Sequence, residues 1–303
     1  MARRFYEKEE NCERTFSSLG SVYHCVSPEN HEIMFVTESD FADAMLILAV
    51  CCRLSPKLRL ITFELMSNHF HLVVSGDKEE VELFIALLKS RLYRHKWSDD
   101  RVVNFKKLTV KLFEVDTLDY FRSTIAYCNR NAFVVNDGVT PFSYPWGANS
   151  CYFNPQLRQY YQQCRRSARV TELREVFRGK MSDDARGVYM LGDSVSPYSF
   201  CDIATGENAF RDAKHYFYAV SKNVESYKRI AAIISEGVVF TDEDVFNAAK
   251  SISSEKYCVK SPSLLPSEAK LELARTLHYE YNASDKQILR MLKLEPAILA
   301  SMF

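Results

Sequence analysis

The stretch that decides the fold is residues 64–74, ELMSNHFHLVV, in which two histidines flank a single phenylalanine. The apolar residues around them predict a β-strand, and side chains alternate between the two faces of a strand. His69 and His71 therefore point from one face. Two neighbouring imidazoles are half of a binding site for a divalent cation. The alternative is a pair of ordinary surface or core histidines, and the pair alone does not decide between the two.

The opposite face of the predicted strand is apolar and requires cover. Its side chains come from this strand and from a second predicted strand at residues 58–66, and they are Phe70, Leu72, Val74, Ile61, Phe63 and Leu65. Helical patterns at residues 41–52 and 79–95 supply that cover. The pattern predicts an α+β fold.

Residues 116–131, DTLDYFRSTIAYCNRN, have the periodicity of an α-helix, with Asp116 or Thr117 as its N-cap. The apolar stripe of this helix consists of Leu118, Phe121, Ile125, Cys128 and Ala132. At ~100° per residue, Tyr127 lies roughly 140° and Asn131 roughly 100° from the centre of the stripe. Neither residue is well placed to belong to the core side of this helix.

Tyr127 and Asn131 are four residues apart, which places them on adjacent turns of one helix face. A tyrosine hydroxyl beside an amide oxygen, presented to a histidine pair, is an arrangement suited to phosphodiester cleavage. The alternative is an exposed tyrosine and an asparagine that only ends the helix. His24 lies between Val22 and Val26 on one face of an earlier predicted strand. We interpret it as a packing or hydrogen-bonded histidine and not as a metal ligand.

Four motifs follow one another in the first half of the chain: SVYHCV at residues 21–26, MSNHFHL at 66–72, YCNRN at 127–131 and YPW at 144–146. Their order and spacing resemble the single-tyrosine HUH transposases, and within them the REP-associated tyrosine transposases and their domesticated relatives. The chain departs from many relatives at Pro28-Glu29, where they carry Arg-Gly, and at Ala132, where they usually carry proline. The first departure removes a basic residue that would contact DNA, and the second loosens the helix end.

The resemblance implies a ferredoxin-like antiparallel sheet with helices on one face and the active site on the other. It implies that His69 and His71 bind a divalent cation, that Asn131 completes the ligand set and that Tyr127 is the nucleophile. Mg²⁺ or Mn²⁺ suits such a mixed, open site, and Zn²⁺ is the alternative on ligand type alone.

The reaction expected of these residues is metal-dependent cleavage and rejoining of single-stranded, hairpin-containing DNA. In-line attack by Tyr127 would give a 5′-phosphotyrosyl intermediate and a free 3′-hydroxyl, which later reverses the reaction. A homodimer is left open, because family members occur both as monomers and as dimers that exchange catalytic helices.

The formal net charge is zero, which is unusual for a dedicated nucleic-acid binder, so positive charge must be local. One basic run is interleaved with Tyr93, Trp97 and Phe105, and it contains Lys89, Arg91, Arg94, Lys96, Arg101, Lys106, Lys107 and Lys111. Arg130, beside Asn131, is a further candidate for DNA binding. A second basic run extends from Arg158 to Lys180. Basic side chains would contact phosphates and aromatic ones would stack on unpaired bases; the alternative is a solvated helix face.

Nine cysteines without a Cys-x-x-Cys pair, and no secretory leader, predict free thiols and a cytoplasmic location. The longest apolar run, residues 42–52, is interrupted by Asp43 and is too short to cross a bilayer. We therefore expect no membrane role.

A change in composition after Pro155 predicts an HUH domain at residues 1–155 and a mainly helical accessory domain at 156–303. The tail at 267–303 resembles a helix-turn-helix: a helix at 267–281, a short helix capped by Ser284 and a final helix at 295–303. The final helix has no basic residue, so packing or partner contact is the alternative to base reading. The candidate phosphate contacts in the tail are Lys286, Arg290 and Lys293.

Two other classes of function stay open. The first is a domesticated relative that binds nucleic-acid hairpins or regulates transcription without turnover. The second is a metal-binding structural protein in which Tyr127 is incidental.

Overall fold

The computed structural model describes residues 2–27, 33–97, 104–131, 142–177, 187–222, 242–281, 283, 285–300 and 302. Several positions named above lie outside the described residues: Pro28, Glu29, Arg101, Ala132, Lys180 and Ser284. The chain forms two compact units. The first comprises residues 1–132 and 141–221, so it continues past residue 155, and the second comprises residues 133–140 and 222–303.

The first unit is built on a four-stranded antiparallel sheet with the order β2-β3-β1-β4. The strands are β1 (Val22–Ser27), β2 (Arg59–Leu65), β3 (Phe70–Ser75) and β4 (Lys111–Glu114). The two strands predicted on either side of the turn at residues 66–69 are confirmed as an antiparallel pair, with Glu64 opposite His71. His69 lies one residue before β3.

Helices α2 (Glu38–Arg53) and α3 (Lys78–Arg94) cover one face of this sheet. Each connects two strands that run parallel to each other in the sheet, and the right-handed crossovers usual for such connections would place both helices on one side. The two helices pack against each other, in agreement with this placement. They cover the apolar face of β3, as predicted. α2 begins at a capping box, because Thr37 Oγ1 accepts from the Asp40 amide and the Asp40 carboxylate accepts from the Thr37 amide.

Helices also lie on the second face, which differs from the expected one-sided arrangement. α4 (Leu118–Cys128) contacts β2 and β3, and the ring of Tyr127 packs against His24 and His71. α1 (Ala2–Ser17) packs on α4. The histidine face is therefore as well buried as the apolar face.

The described residues from 155 to 222 combine helices with a small antiparallel sheet in the order β5-β6-β7. These elements are α5 (Pro155–Cys164), β5 (Arg166–Ser167), α6 (Val170–Phe177), β6 (Tyr189–Leu191), β7 (Ser194–Val195), α7 (Ile203–Asn208) and α8 (Ala213–Lys222). Cys201 forms a bridge with Leu60, and Gly147 forms one with Glu64. These two bridges protect the outer edge of β2.

The described part of the second unit is helical: α9 (Asp242–Tyr257), α10 (Ser267–Tyr281), α11 (Asp285–Leu292) and α12 (Pro296–Ala300). The predicted bounds of α10 are confirmed. α12 is shorter than predicted and begins at a proline, which suits the first helical position. Leu277, Ile288 and Leu292 are fully buried between these helices. No helix among the described residues of either unit combines the length and apolar character needed to span a bilayer.

Candidate active site

The histidine face of the sheet gathers polar side chains in the interior of the first unit. Val26 and Glu64 lie directly opposite His71 on the two neighbouring strands. His24 lies two residues before Val26, so its side chain shares this face. His24, Glu64 and His71 are at most 1% exposed. Buried polar groups in this number require hydrogen-bond partners or a function.

The three imidazoles are linked by defined contacts. His24 Nε2 lies 3.2 Å from His71 Nδ1, so the interpretation of His24 as a hydrogen-bonded histidine is confirmed. His69 Nδ1 lies 2.8 Å from Asn68 Oδ1. Because that amide oxygen only accepts, His69 carries its proton on Nδ1 and presents a lone pair at Nε2. His69 Nε2 is buried and has no hydrogen-bond partner among the described residues.

Burial keeps these imidazoles neutral. Desolvation lowers the pKa of His69 to about 4 and that of His24 to about 3. The pKa of His71 is well below its ordinary value because of burial first and then the neighbouring His69 and His24. Neutral imidazoles are the form that binds cations.

Tyr127 and Asn131 both reach this face. The Tyr127 ring lies 5.4 Å from the His71 ring and 5.9 Å from the His24 ring, measured between centroids. Asn131 Nδ2 contacts His71 Nε2. Tyr127 is 2% exposed and Asn131 is 3% exposed. The structure thus brings together all four residues that the sequence singled out for chemistry.

The end of α4 differs from the prediction. Thr117, one of the two predicted N-caps, caps its start, but the helix ends at Cys128 and a turn at Asn129 precedes Asn131. Tyr127 and Asn131 therefore do not lie on one continuous helix face. Asn131, where the chain is helical again, contacts His71 from beyond this turn.

Asn129 belongs to a buried network that sequence reasoning missed. Thr62 Oγ1 donates to Asn129 Oδ1, and Asn129 Nδ2 donates to Tyr216 Oη at 2.7 Å. Tyr216 Oη donates to Asn149 Oδ1. The network ties the turn between Tyr127 and Asn131 to β2 and to α8. No local sequence pattern predicts this network, because Tyr216 is 87 residues from Asn129 in sequence.

Arg122 forms a second set of contacts that the sequence did not predict, and these contacts hold α4 in place. Arg122 is 6% exposed, and its Nε donates to the Ala209 carbonyl at 2.7 Å. Arg122 Nη1 donates to a Glu9 carboxylate oxygen of α1, also at 2.7 Å. Charge-assisted bonds of this length hold the helix that carries Tyr127.

The predicted DNA-binding residues do not share one surface with these histidines. Most lie on or after α3, across the sheet from His71: Lys89 and Arg91 are half-buried, and Arg94, Lys96, Lys106 and Lys107 are exposed. Arg130 is beside the histidine face but is 2% exposed. Among the interleaved aromatics, only Tyr93 is exposed, with Lys106 Nζ 4.3 Å from its ring centroid.

Trp97 and Phe105, which the sequence offered for base stacking, are core residues. Their rings pack against each other at 5.5 Å and both lie against Phe35. Trp97 is 6% exposed and Phe105 is fully buried. Neither side chain is available to stack on a base.

The second basic run is partly neutralised by internal contacts. Arg158 donates to both carboxylate oxygens of Glu207 at 2.8 Å. Arg166 forms a similar pair with Glu172. Arg165 lies over the Tyr189 ring. This arrangement favours a structural role for the described part of the run.

Within the described ranges, no group of three or more His, Cys, Asp or Glu side chains could hold a metal ion. The candidate donors are therefore two imidazoles and one amide. Comparison with protein-family models, with curated proteins and with solved structures gives no match.

Proposed function

We propose that this chain is a metal-dependent single-strand DNA endonuclease and strand transferase of the single-tyrosine HUH transposase type. The observation that carries the proposal is the buried Nε2 atom of His69, which has a lone pair and no partner among the described residues. It lies in a group that includes His71, Asn131 and Tyr127. A buried lone pair next to a second imidazole is suited to bind a cation.

The sheet supports the same proposal at the level of fold. Its elements occur in the order β1-α2-β2-β3-α3-β4, and the strand order β4-β1-β3-β2 is antiparallel throughout. This arrangement supports the proposal of a ferredoxin-like sheet, which is the fold expected of an HUH endonuclease domain.

The residues present fit a divalent cation. His69 and His71 would bind it through Nε2, and Asn131 would bind it after its amide turns Oδ1 towards the ion. Mg²⁺ or Mn²⁺ is the proposed ion, and Zn²⁺ is the alternative. When bound, the cation would supply Lewis-acid polarisation of the phosphodiester.

Tyr127 performs the covalent step. Its Oη forms a bond with phosphorus while the bond between phosphorus and the 3′-oxygen breaks. The phenolic proton leaves Tyr127, and the released 3′-oxygen gains a proton to become a hydroxyl. One phosphodiester replaces another, so rejoining needs no external energy source. Tyr127 is 2% exposed, so its Oη must become accessible before DNA can reach it.

The proposed cellular setting is a reducing cytoplasm. All nine cysteines are free, and seven of them are buried or half-buried in the first unit. The proposed partner is single-stranded or hairpin DNA, with a homodimer left open.

The test is incubation of the purified protein with end-labelled single-stranded and hairpin oligonucleotides, with Mg²⁺ or Mn²⁺. The 5′ side of the cut should carry a free 3′-hydroxyl, and the 3′ side should become covalently bound to protein. Tyr127→Phe should abolish the adduct. Tyr120→Phe, two turns earlier on α4, is the matched control and should retain it.

An adduct of undiminished yield in Tyr127→Phe would overturn the assignment. Hairpin binding by the wild type without cleavage under any divalent cation would favour a regulatory, non-catalytic relative. A lower melting temperature in His69→Ala, with no nucleic acid bound by the wild type, would favour a structural metal site.

A further inference from the structure

His24 contacts the ring nitrogen of His71 that lies opposite the proposed metal-binding nitrogen Nε2. The two ring nitrogens, His24 Nε2 and His71 Nδ1, lie 3.2 Å apart, and both residues are fully buried. Two neutral imidazoles at this distance share one hydrogen bond, so one ring donates and the other accepts. The direction of that bond follows from the other contact of His71.

Asn131 supplies that second contact. Its Nδ2 atom faces His71 Nε2, and an amide nitrogen only donates. His71 Nε2 therefore accepts and carries no proton. A neutral imidazole has one N–H group, so the His71 proton lies on Nδ1 and is donated to His24 Nε2.

We propose that His24 is a positioning residue: by accepting the proton of His71 Nδ1, it keeps the Nε2 lone pair of His71 directed at the cation. Asn68 does the same for His69, since its Oδ1 accepts from Nδ1 at 2.8 Å. Both metal-binding imidazoles thus have a dedicated acceptor behind them. Such acceptors fix the ring orientation and tautomer of metal-binding histidines.

The position of the His24 proton indicates that a histidine at this position serves the site and not the packing of the core. Because His24 accepts at Nε2, its own proton lies on Nδ1, which is buried and has no hydrogen-bond partner among the described residues. An unpaired buried N–H is unfavourable for the fold. An apolar residue at this position would have no unpaired N–H group. His24 therefore lowers the stability of the fold relative to an apolar residue.

The inference rests on the proposed metal site, but its first test needs neither metal nor DNA. Long-range ¹H–¹⁵N NMR of the metal-free protein at neutral pH distinguishes protonated from unprotonated ring nitrogens. The chain has seven histidines, so His71 can be assigned by comparison with His71→Gln. We expect His71 to be protonated on Nδ1 in the wild type. His24→Phe, which keeps an aromatic ring but removes the acceptor, should leave the Nδ1 proton of His71 without a partner, so that a measurable fraction carries the proton on Nε2 with the Asn131 amide turned to accept it.

The second readout is the affinity for Mn²⁺, measured by calorimetry or by electron paramagnetic resonance. His24→Phe should bind Mn²⁺ about 10–100-fold more weakly than the wild type. His24→Gln should recover most of the affinity, because its amide oxygen can accept from His71 Nδ1. Cys25→Ala is the matched control: Cys25 is the next residue on β1, is also fully buried and points to the opposite face. It should bind Mn²⁺ like the wild type.

Protonation of His71 on Nε2 in the wild type would overturn the inference, as would equal Mn²⁺ affinity in His24→Phe and the wild type. Failure of the wild type to bind Mn²⁺ would overturn both the inference and the proposed metal site. Intact Mn²⁺ binding and the expected proton positions, without DNA cleavage, would support the inference and overturn only the proposed function.

Discussion

Tyr216→Phe is the sharpest perturbation of the network behind the candidate site. The substitution removes one hydroxyl and keeps the ring, which packs against Tyr152 at 5.1 Å and against Phe210 at 5.0 Å. The lost hydroxyl leaves Asn129 Nδ2 without its 2.7 Å acceptor in a fully buried position. A buried donor left without a partner costs about 1–3 kcal/mol. We expect the free energy of unfolding to fall by about 2 kcal/mol.

Urea denaturation followed by tryptophan fluorescence measures this loss in the correct part of the chain. The chain has two tryptophans, Trp97 and Trp146, and both belong to the first compact unit. Tyr218→Phe is the matched control, because Tyr218 lies on the same helix but is 64% exposed. It should change the unfolding free energy by less than ~0.5 kcal/mol.

The same substitution should slow covalent adduct formation when both proteins are folded. Asn129 lies in the turn between Tyr127 and Asn131, so its release loosens the positions of both. Equal stability of the Tyr216→Phe and Tyr218→Phe variants would refute the claim that this network stabilises the site. Lower stability with an unchanged rate of adduct formation would refute its role in positioning.

Three further predictions concern separate parts of the first unit. Glu172→Gln should lower stability by about 1 kcal/mol at neutral pH, because Arg166 holds the pKa of Glu172 at about 2. That contribution is present above the ordinary pKa of the carboxyl and is lost as pH falls towards 2, so urea titrations of variant and wild type should converge there. Gly206→Ala should lose roughly 1–3 kcal/mol in the same assay, since a Cβ atom at this position would overlap the buried Tyr152 hydroxyl. Mn²⁺ at about 100 times its Kd should stabilise the wild type by ~2.7 kcal/mol, seen as a higher melting temperature, and a similar rise in His69→Ala would contradict the metal site.

Local patterns in the sequence predict the elements that position the site. Alternation around His69 and His71 places both imidazoles on one face of the strand region, as the structure has them. Helical periodicity predicts α4, with Asp116 or Thr117 as its N-cap, and directs Tyr127 away from the apolar stripe; the structure has Thr117 as the cap. Each of these features depends on side chains within a few residues of one another. They are therefore readable without knowledge of the tertiary structure.

Features that depend on residues far apart in sequence cannot be predicted from local patterns. α4 ends where the side chain of its C-cap, Asn129, bonds to Thr62 and Tyr216 from remote parts of the chain. The burial of Trp97 against Phe35 likewise depends on packing between segments far apart in sequence. The sequence predicts a packing or hydrogen-bonded role for His24, but its partner His71 follows only from the register of β1 with β3.

Identification of the nucleophile tests the central claim most directly. Trypsin cleaves after Arg122 and Arg130, and Tyr127 is the only tyrosine in the peptide between them, residues 123–130. After reaction of the wild type with a single-stranded hairpin oligonucleotide and Mn²⁺, nuclease trimming and mass spectrometry should find a nucleotide phosphate on that peptide, at Tyr127. A nucleotide on any other tyrosine, or none under conditions in which the oligonucleotide is cleaved, would contradict the account.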